Sequence, residues 1–281
     1  MSRLRISAIS FLNTAPLMWD FEHGDAGRDF DIAYTIPSAC AAAIAANEAD
    51  IGIIPAFTYA TIPGLVILPN IAIAAKDRVR SILLVSRKAI EDVRTVAADT
   101  SSRTSVALLQ VLFAKFFGGP RQLTPHPPEL SAMLTEHDAA LLIGDAALQV
   151  PDDASYHLYD LAHLWHRMTG QAFVFAFWAV RLDALNRQPR GLCLKKVFQQ
   201  SRDHGLEPEN IVAIAREWSP KLGLAEDDIR SYLTDNIHYY LDRENHAGLK
   251  LFLRYSQEIG LIAAVPELRF LGPVAFGSAK E

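Results

Sequence analysis

Ser10, Asn13 and Thr14, within Ser10-Phe11-Leu12-Asn13-Thr14-Ala15-Pro16-Leu17, place an amide and two hydroxyls directly behind the apolar run Leu4 to Ile9. Neutral donors of this kind can hold an anion or a departing hydroxyl, and a strand-to-helix loop is where open α/β sheets bind ligands. A second polar segment, Asp99-Thr100-Ser101-Ser102-Arg103-Thr104-Ser105, follows Val96 to Ala98 and opens a long helical pattern. The free amides and positive dipole end of such a helix suit a carboxylate. Ser101, Ser102, Thr104 and Ser105 would add hydroxyl donors, although Ser and Thr favour helix starts in any case. Arg103 either adds a bidentate contact or points to solvent. Gly144 lets backbone approach a ligand closely or simply makes a tight turn. Asp145 is an acid or base at the cleft, or a cap of the short helix at 146–150. Of the aromatic run Phe173, Phe175, Phe177 and Trp178, alternation allows one face to line a pocket, with Phe175 and Trp178 as the candidates.

These loops need two lobes to face each other. Arg3 to Ile9, Asp31 to Thr35, Ile51 to Ile54, Leu65 to Ala74 and Ser81 to Ser86 read as strands of a first half. Ala15 to Phe21 is a short helix, and Ser38 is expected to cap another running to about Asn47. The second half opens with the strand Val96 to Ala98. A helix follows from Ser102 to Phe117, apolar at 106, 109, 112, 113 and 116 and ended by Gly118-Gly119-Pro120. Leu130 to Leu134 reads as helix and Ala139 to Ile143 as a buried strand. Phe173 to Val180 carries the chain back, and helical patterns follow at 192–203, 208–217, 226–240 and 246–259. The layout is an α/β clamshell with lobes at 1–90 plus 178–281 and at 91–177. The chain crosses between them near 87–94 and 170–180.

The bulk properties fit such a fold. The chain has 281 residues, half of them hydrophobic, and a net charge of −5 without a basic run, which argues against nucleic acid as a partner. No run approaches the roughly 18 apolar residues of a membrane span, and the N-terminus does not read as a signal peptide. Cys40 and Cys193 lie among apolar neighbours and read as buried free thiols of a cytoplasmic protein. His163 and His166, with Asp160 nearby, form the one tempting metal constellation; the rival reading is a helix surface flanking a buried Trp165. No nucleophile elbow, phosphate loop or dinucleotide fingerprint is present. The residues thus describe a cleft for a small anion without deciding between an enzyme and a binding protein or sensor for a small carboxylate.

The opening motif resembles the S-[YF]-L-N-T-x-P-L of the chorismate dehydratases of the futalosine route to menaquinone. The resemblance extends through Asp50-Ile51-Gly52-Ile53-Ile54-Pro55, Arg80-Ser81-Ile82-Leu83-Leu84-Val85-Ser86, the 99–105 segment and Ile143-Gly144-Asp145-Ala146-Ala147. It continues through Tyr159-Asp160-Leu161 with Trp165 and Thr169-Gly170 before Phe173, and more weakly to Asn236-Ile237-His238-Tyr239-Tyr240 and Gly248-Leu249. Gln171-Ala172 stands where that family has Leu-Pro. The cysteine-containing S-P-C-P-N-D-T opening of the sibling family is missing. The resemblance implies a type II periplasmic-binding-protein-like fold and removal of water from chorismate, with no metal or redox cofactor. It implies that Asn13 is the leading catalytic side chain, that Asp145 or the substrate's own carboxylate is the base, and that Ser81 joins the substrate-binding residues.

Overall fold

The computed structural model describes residues 3–151 and 153–272, so 273–281, the tail of the expected first lobe, lie outside the described residues. In chain order the strands are β1 (Leu4–Ile9), β2 (Phe30–Thr35), β3 (Ile51–Pro55), β4 (Leu65–Ala75), β5 (Ile82–Ser86), β6 (Thr95–Asp99), β7 (Gln122–His126), β8 (Ala139–Ile143), β9 (His157–Asp160) and β10 (Phe173–Arg181). The helices are α1 (Ala15–His23), α2 (Pro37–Ala45), α3 (Arg103–Phe116), α4 (Leu130–Glu136), α5 (Gly144–Leu148), α6 (Leu161–Thr169), α7 (Leu194–Gly205), α8 (Pro208–Leu222), α9 (Glu226–Ser231) and α10 (Arg243–Glu258).

Two five-stranded sheets result, ordered β2-β1-β3-β10-β4 and β7-β6-β8-β5-β9. The two orders are the same plan. Each lobe builds a parallel trio from its own chain, and its fourth position is an antiparallel strand adjoining a crossing, β10 in one and β5 in the other. The expected boundary is corrected by this exchange. β5 pairs with β8 and β9, so the chain crosses at 76–81 rather than 87–94, and all of β10 belongs to the first sheet. An apolar strand such as β5 carries no label of its sheet, because either buried centre accepts it.

Asp160 pins the crossing. Its carboxylate accepts the amides of Val79 (2.9 Å) and Arg80 (2.7 Å) from the crossing, and those of Ala162 (3.0 Å) and His163 (3.1 Å) at the start of α6. Burial raises its pKa nevertheless. Asp160 is therefore a helix cap and hinge anchor, and His163 turns its Nδ1 to Asp77 at 2.6 Å; the two do not converge on a common point. In the first lobe Asp50, fully buried, takes the backbone amide of Arg5 at 2.9 Å and the guanidinium groups of Arg5 and Arg187. Burial alone would raise its pKa; the two arginines outweigh that and hold it at about 2.

Three local expectations change. α2 begins at Pro37 with Ile36 at the cap position, so Ser38 lies inside the first turn and does not cap; Pro at the start supplies the helical φ and needs no amide partner. Cys40 is buried as expected, but Cys193 is exposed, and neither is in a disulfide. The pattern at 226–240 is not one helix. α9 ends at Ser231, residues Tyr232–Asn236 form a π-turn, and the chain then runs extended so that His238 bridges Ala74 of β4. At the other crossing the Ala172 carbonyl accepts the Trp165 indole at 3.1 Å. A Cβ on Gly248 would lie 1.9 Å from that same oxygen, so α10 can seat here only with glycine.

Candidate active site

The two polar loops occupy equivalent places, one after β1 and the other after β6, and the lobes close them onto each other. A cavity of about 40 Å³ remains between them. Its wall is apolar, from Ile9, Phe11, Ile73, Ile82, Ile143 and Phe175 among others, and its polar side chains are Asn13, Ser102 and Ser105. No lining residue is ionisable. Gly144 lines it with a φ of +57°, and a Cβ there would lie 2.7 Å from the Phe11 ring. Glycine is required twice over, for the left-handed backbone and for the contact.

Three amides of the first lobe, each at the start of a helical turn after a strand, are bonded by acceptors of the second. Leu12 N donates to Asp145 Oδ1 at 3.1 Å, Ser38 N to the Ser101 carbonyl at 3.0 Å, and Phe57 N to Thr104 Oγ1 at 3.1 Å. The lobes thus dock by satisfying groups that helix starts leave without partners. Desolvation raises the pKa of Asp145 to about 6, against the lowering influence of the Leu12 amide.

The hydroxyls of 101–105 divide by use. Ser102 caps α3 by accepting Ser105 N at 3.1 Å, and donates to Ser105 Oγ at 3.0 Å. Both line the cavity. Ser101 donates to the Asp99 carboxylate, and Thr104 is held by Phe57; neither lines it. Arg103 is exposed and borders a neighbouring cavity with Asp99 and Gln110. Ser10 is exposed and bonds the Thr35 carbonyl. Thr14 is buried behind Asn13 and donates to its Oδ1 at 3.3 Å. Phe175 faces the cavity, whereas Trp178 packs on Phe198 in the core at 4.8 Å between ring centres. Three residues from Phe175, Trp178 falls on the opposite face of β10, the one turned to α7, as strand alternation requires.

Ser81 is fully buried beside this group. Its carbonyl accepts Gly144 N at 2.8 Å, and its hydroxyl accepts the phenol of Tyr232 at 2.8 Å. Burial raises the Tyr232 pKa well above the ordinary value, helped by the Asp145 charge and opposed by Ser81 and the Asn13 amide. Tyr232 is the residue of this cluster that no motif or periodicity pointed to. Its sole sequence signal is its place four residues before Asn236-Ile237-His238-Tyr239-Tyr240.

Residues 4–258 match the family described as menaquinone biosynthesis. The chain belongs to that family. It is 29% identical over 259 residues to the chorismate dehydratase of Thermus thermophilus, covering 86% of this chain and 91% of the relative. It is 27% identical over 195 residues to the chorismate dehydratase of Campylobacter jejuni, with 68% and 69% covered. In three dimensions this member of the menaquinone biosynthesis family is similar to a protein from Archaeoglobus fulgidus, with a TM-score of 0.70 at 18% identity over 92% of this chain and 98% of the other. It is also similar to the periplasmic aliphatic sulphonate binding protein of Escherichia coli, with a TM-score of 0.63 at 16% identity over 100% and 96%. The fold is therefore the two-lobed periplasmic-binding-protein-like α/β fold. Among the described residues no helix is long and apolar enough to cross a membrane.

Proposed function

We propose that this protein is a chorismate dehydratase, a carbon–oxygen lyase that converts chorismate to 3-[(1-carboxyvinyl)oxy]benzoate and water in menaquinone biosynthesis. The observation that carries the reading is a cleft walled by apolar side chains whose polar groups are all neutral, in a chain of the menaquinone biosynthesis family. Such a site suits a reaction whose driving force resides in the substrate. The C3 proton leaves, hydroxide departs from C4, and the ring becomes aromatic. The ring carboxylate conjugates with C3, so negative charge spreads through the ring before the C4–O bond breaks.

The protein must then orient and stabilise rather than supply strong acids or bases. Asn13 is the catalytic side chain in this reading. Its amide, steadied by Thr14, holds the enolpyruvyl carboxylate or the leaving hydroxyl. Ser102, Ser105 and the start of α3 hold a carboxylate with neutral donors and a helix dipole. With no ionisable group in the lining, the substrate's side-chain carboxylate takes the C3 proton and passes it to the departing hydroxide, so that one water leaves and the balance closes. Asp145 acts as the interlobe latch, because its oxygen is engaged by the Leu12 amide.

The cavity of about 40 Å³ is far below the roughly 300–1,000 Å³ of sites that enclose a small molecule. The lobes must therefore part to admit a substituted six-membered ring and close again around it. The two free cysteines suit a reducing cytoplasm. The test is direct: purified protein incubated with chorismate must yield the enolpyruvyl benzoate, lighter by one water. Binding without product would support a binding protein.

A further inference from the structure

Beside the closed cleft lies a second cavity, of about 500 Å³, which is inside the volume range of small-molecule sites where the cleft is not. Both lobes wall it. Phe57 comes from the turn after β3 and Leu261 from the chain after α10; the rest of the lining comes from β6, β7, α3 and the loop at 100–102. Arg103, Val106, Ala107 and Gln110 line it together, because spacing of three, four and seven residues puts them on one face of α3. Ser102 lines this cavity and the cleft alike, so the two share a wall.

Its polar groups are uncommitted. Among the described residues the Arg103 guanidinium has no ion pair, hydrogen bond or ring contact, and the Gln110 side-chain amide has no hydrogen bond. Asp99 is 1% exposed. One of its carboxylate oxygens accepts the Ser101 amide at 2.8 Å and the Ser101 hydroxyl, while the other meets no donor among the described residues. A buried carboxylate oxygen ordinarily has a partner, and Arg103 does not supply it.

These features select a ligand. Arg103 calls for an anion that its guanidinium can hold in a fork. The open Asp99 oxygen calls for a donor, so a plain apolar carboxylate would leave it unpaired and set like charges together. Phe57, Val106, Leu123 and Leu261 call for an apolar frame between the two ends. We propose that this cavity is a second binding site, for a small cyclic hydroxy-carboxylate whose carboxylate pairs with Arg103 and whose hydroxyl donates to Asp99. Its occupancy is independent of turnover in the cleft.

Calorimetric titration with shikimate, an acid of this class, tests the site on wild type, Arg103→Gln, Leu123→Trp and Asn13→Ala. Arg103 is exposed at the first residue of α3, so its substitution should leave the thermal midpoint unchanged. Arg103→Gln should raise Kd about 10- to 100-fold through loss of the charge-assisted bond. Leu123→Trp fills the cavity and should abolish binding, whereas Asn13→Ala alters the cleft alone and should leave Kd within about twofold. Cyclohexene-1-carboxylate, the same ring without hydroxyls, should bind wild type at least about tenfold more weakly than shikimate, since a site built to accept a hydroxyl proton rejects the analogue lacking it. No binding to wild type, an unchanged Kd in Arg103→Gln, an equal loss in Asn13→Ala, or equal affinity for the two acids would each overturn the proposal. Should Leu123→Trp not fold, Arg103→Gln and the pair of acids still decide. Shikimate binding by a protein that leaves chorismate intact sinks the dehydratase reading alone; turnover of chorismate without shikimate binding sinks this inference alone.

Discussion

The loops after β1 and β6 occupy the same position in two sheets of the same order, yet they use their polar residues oppositely. In the first, Asn13 lines the cavity with Thr14 behind its carbonyl oxygen, and the backbone amide of Leu12 is given to the other lobe. In the second, most of the side chains are already committed: Ser101 to Asp99, Ser102 to Ser105, Thr104 to Phe57. In the first loop the side chain facing the cavity caps no helix; in the second, Ser102 caps α3 and faces the cavity at once, and both loops help to fasten the lobes. Duplicated architecture places two equivalent loops at a cleft, and their hydrogen bonds show how differently the two spend their polar side chains.

The comparison is most easily broken at Asn13. Asn13→Ala should lower kcat about 10²- to 10³-fold, the usual loss when one donor to developing charge is removed, with KM little changed and the fold intact. Near wild-type turnover would remove the first loop from the chemistry.

Ser105 and Ser102 sharpen the picture of the second loop. Ser105 Oγ accepts from Ser102 and lines the cavity, so Ser105→Ala should raise KM roughly 10- to 100-fold, the equivalent of ~1.5–3 kcal/mol for a bond to a charged group. Ser102→Ala should in addition lower thermal stability by ~1 kcal/mol through loss of the cap. Loss of stability in both with unchanged KM would leave the loop purely structural.

Thr104→Val removes the acceptor for Phe57 N while keeping the shape. Closure should weaken by ~0.5–1.5 kcal/mol, raising KM about 2- to 10-fold without touching kcat at saturation. An effect on kcat alone would place Thr104 in the chemistry instead.

Asp145 gives the smallest effect and one with a sign. Burial raises its pKa from 3.8 to about 6 in the closed form, so closing favours the protonated carboxyl. The benefit is complete below the ordinary pKa and lost as pH rises through about 6. Wild-type KM should therefore fall, by less than about tenfold, as pH is lowered from 7.5 to 5.5, and Asp145→Asn should flatten that dependence while retaining turnover. Abolished turnover with intact binding would instead make Asp145 the base.

Much of this was legible in the chain, and the limits have physical causes. α3 follows from its apolar spacing and from Gly118 and Gly119, both at positive φ. The position of Asn13 follows from a strand ending in small polar residues. The lobe assignment of β5 does not, because a buried apolar strand is equally at home in either sheet. Phe175 and Trp178 lie three residues apart on β10, so strand alternation itself sends them to opposite faces, and only Phe175 reaches the cavity. Tyr232 was hidden because 226–240 looks continuous, and the π-turn that places the phenol is a departure from period rather than an instance of it.

The most direct test of the central claim is mass-resolved analysis of the purified chain with chorismate in the presence of a chelator, without added nucleotide or flavin. The account predicts accumulation of 3-[(1-carboxyvinyl)oxy]benzoate, one water lighter than the substrate, at a rate unaffected by the chelator. Tight binding of chorismate with closure of the lobes and no product would contradict it.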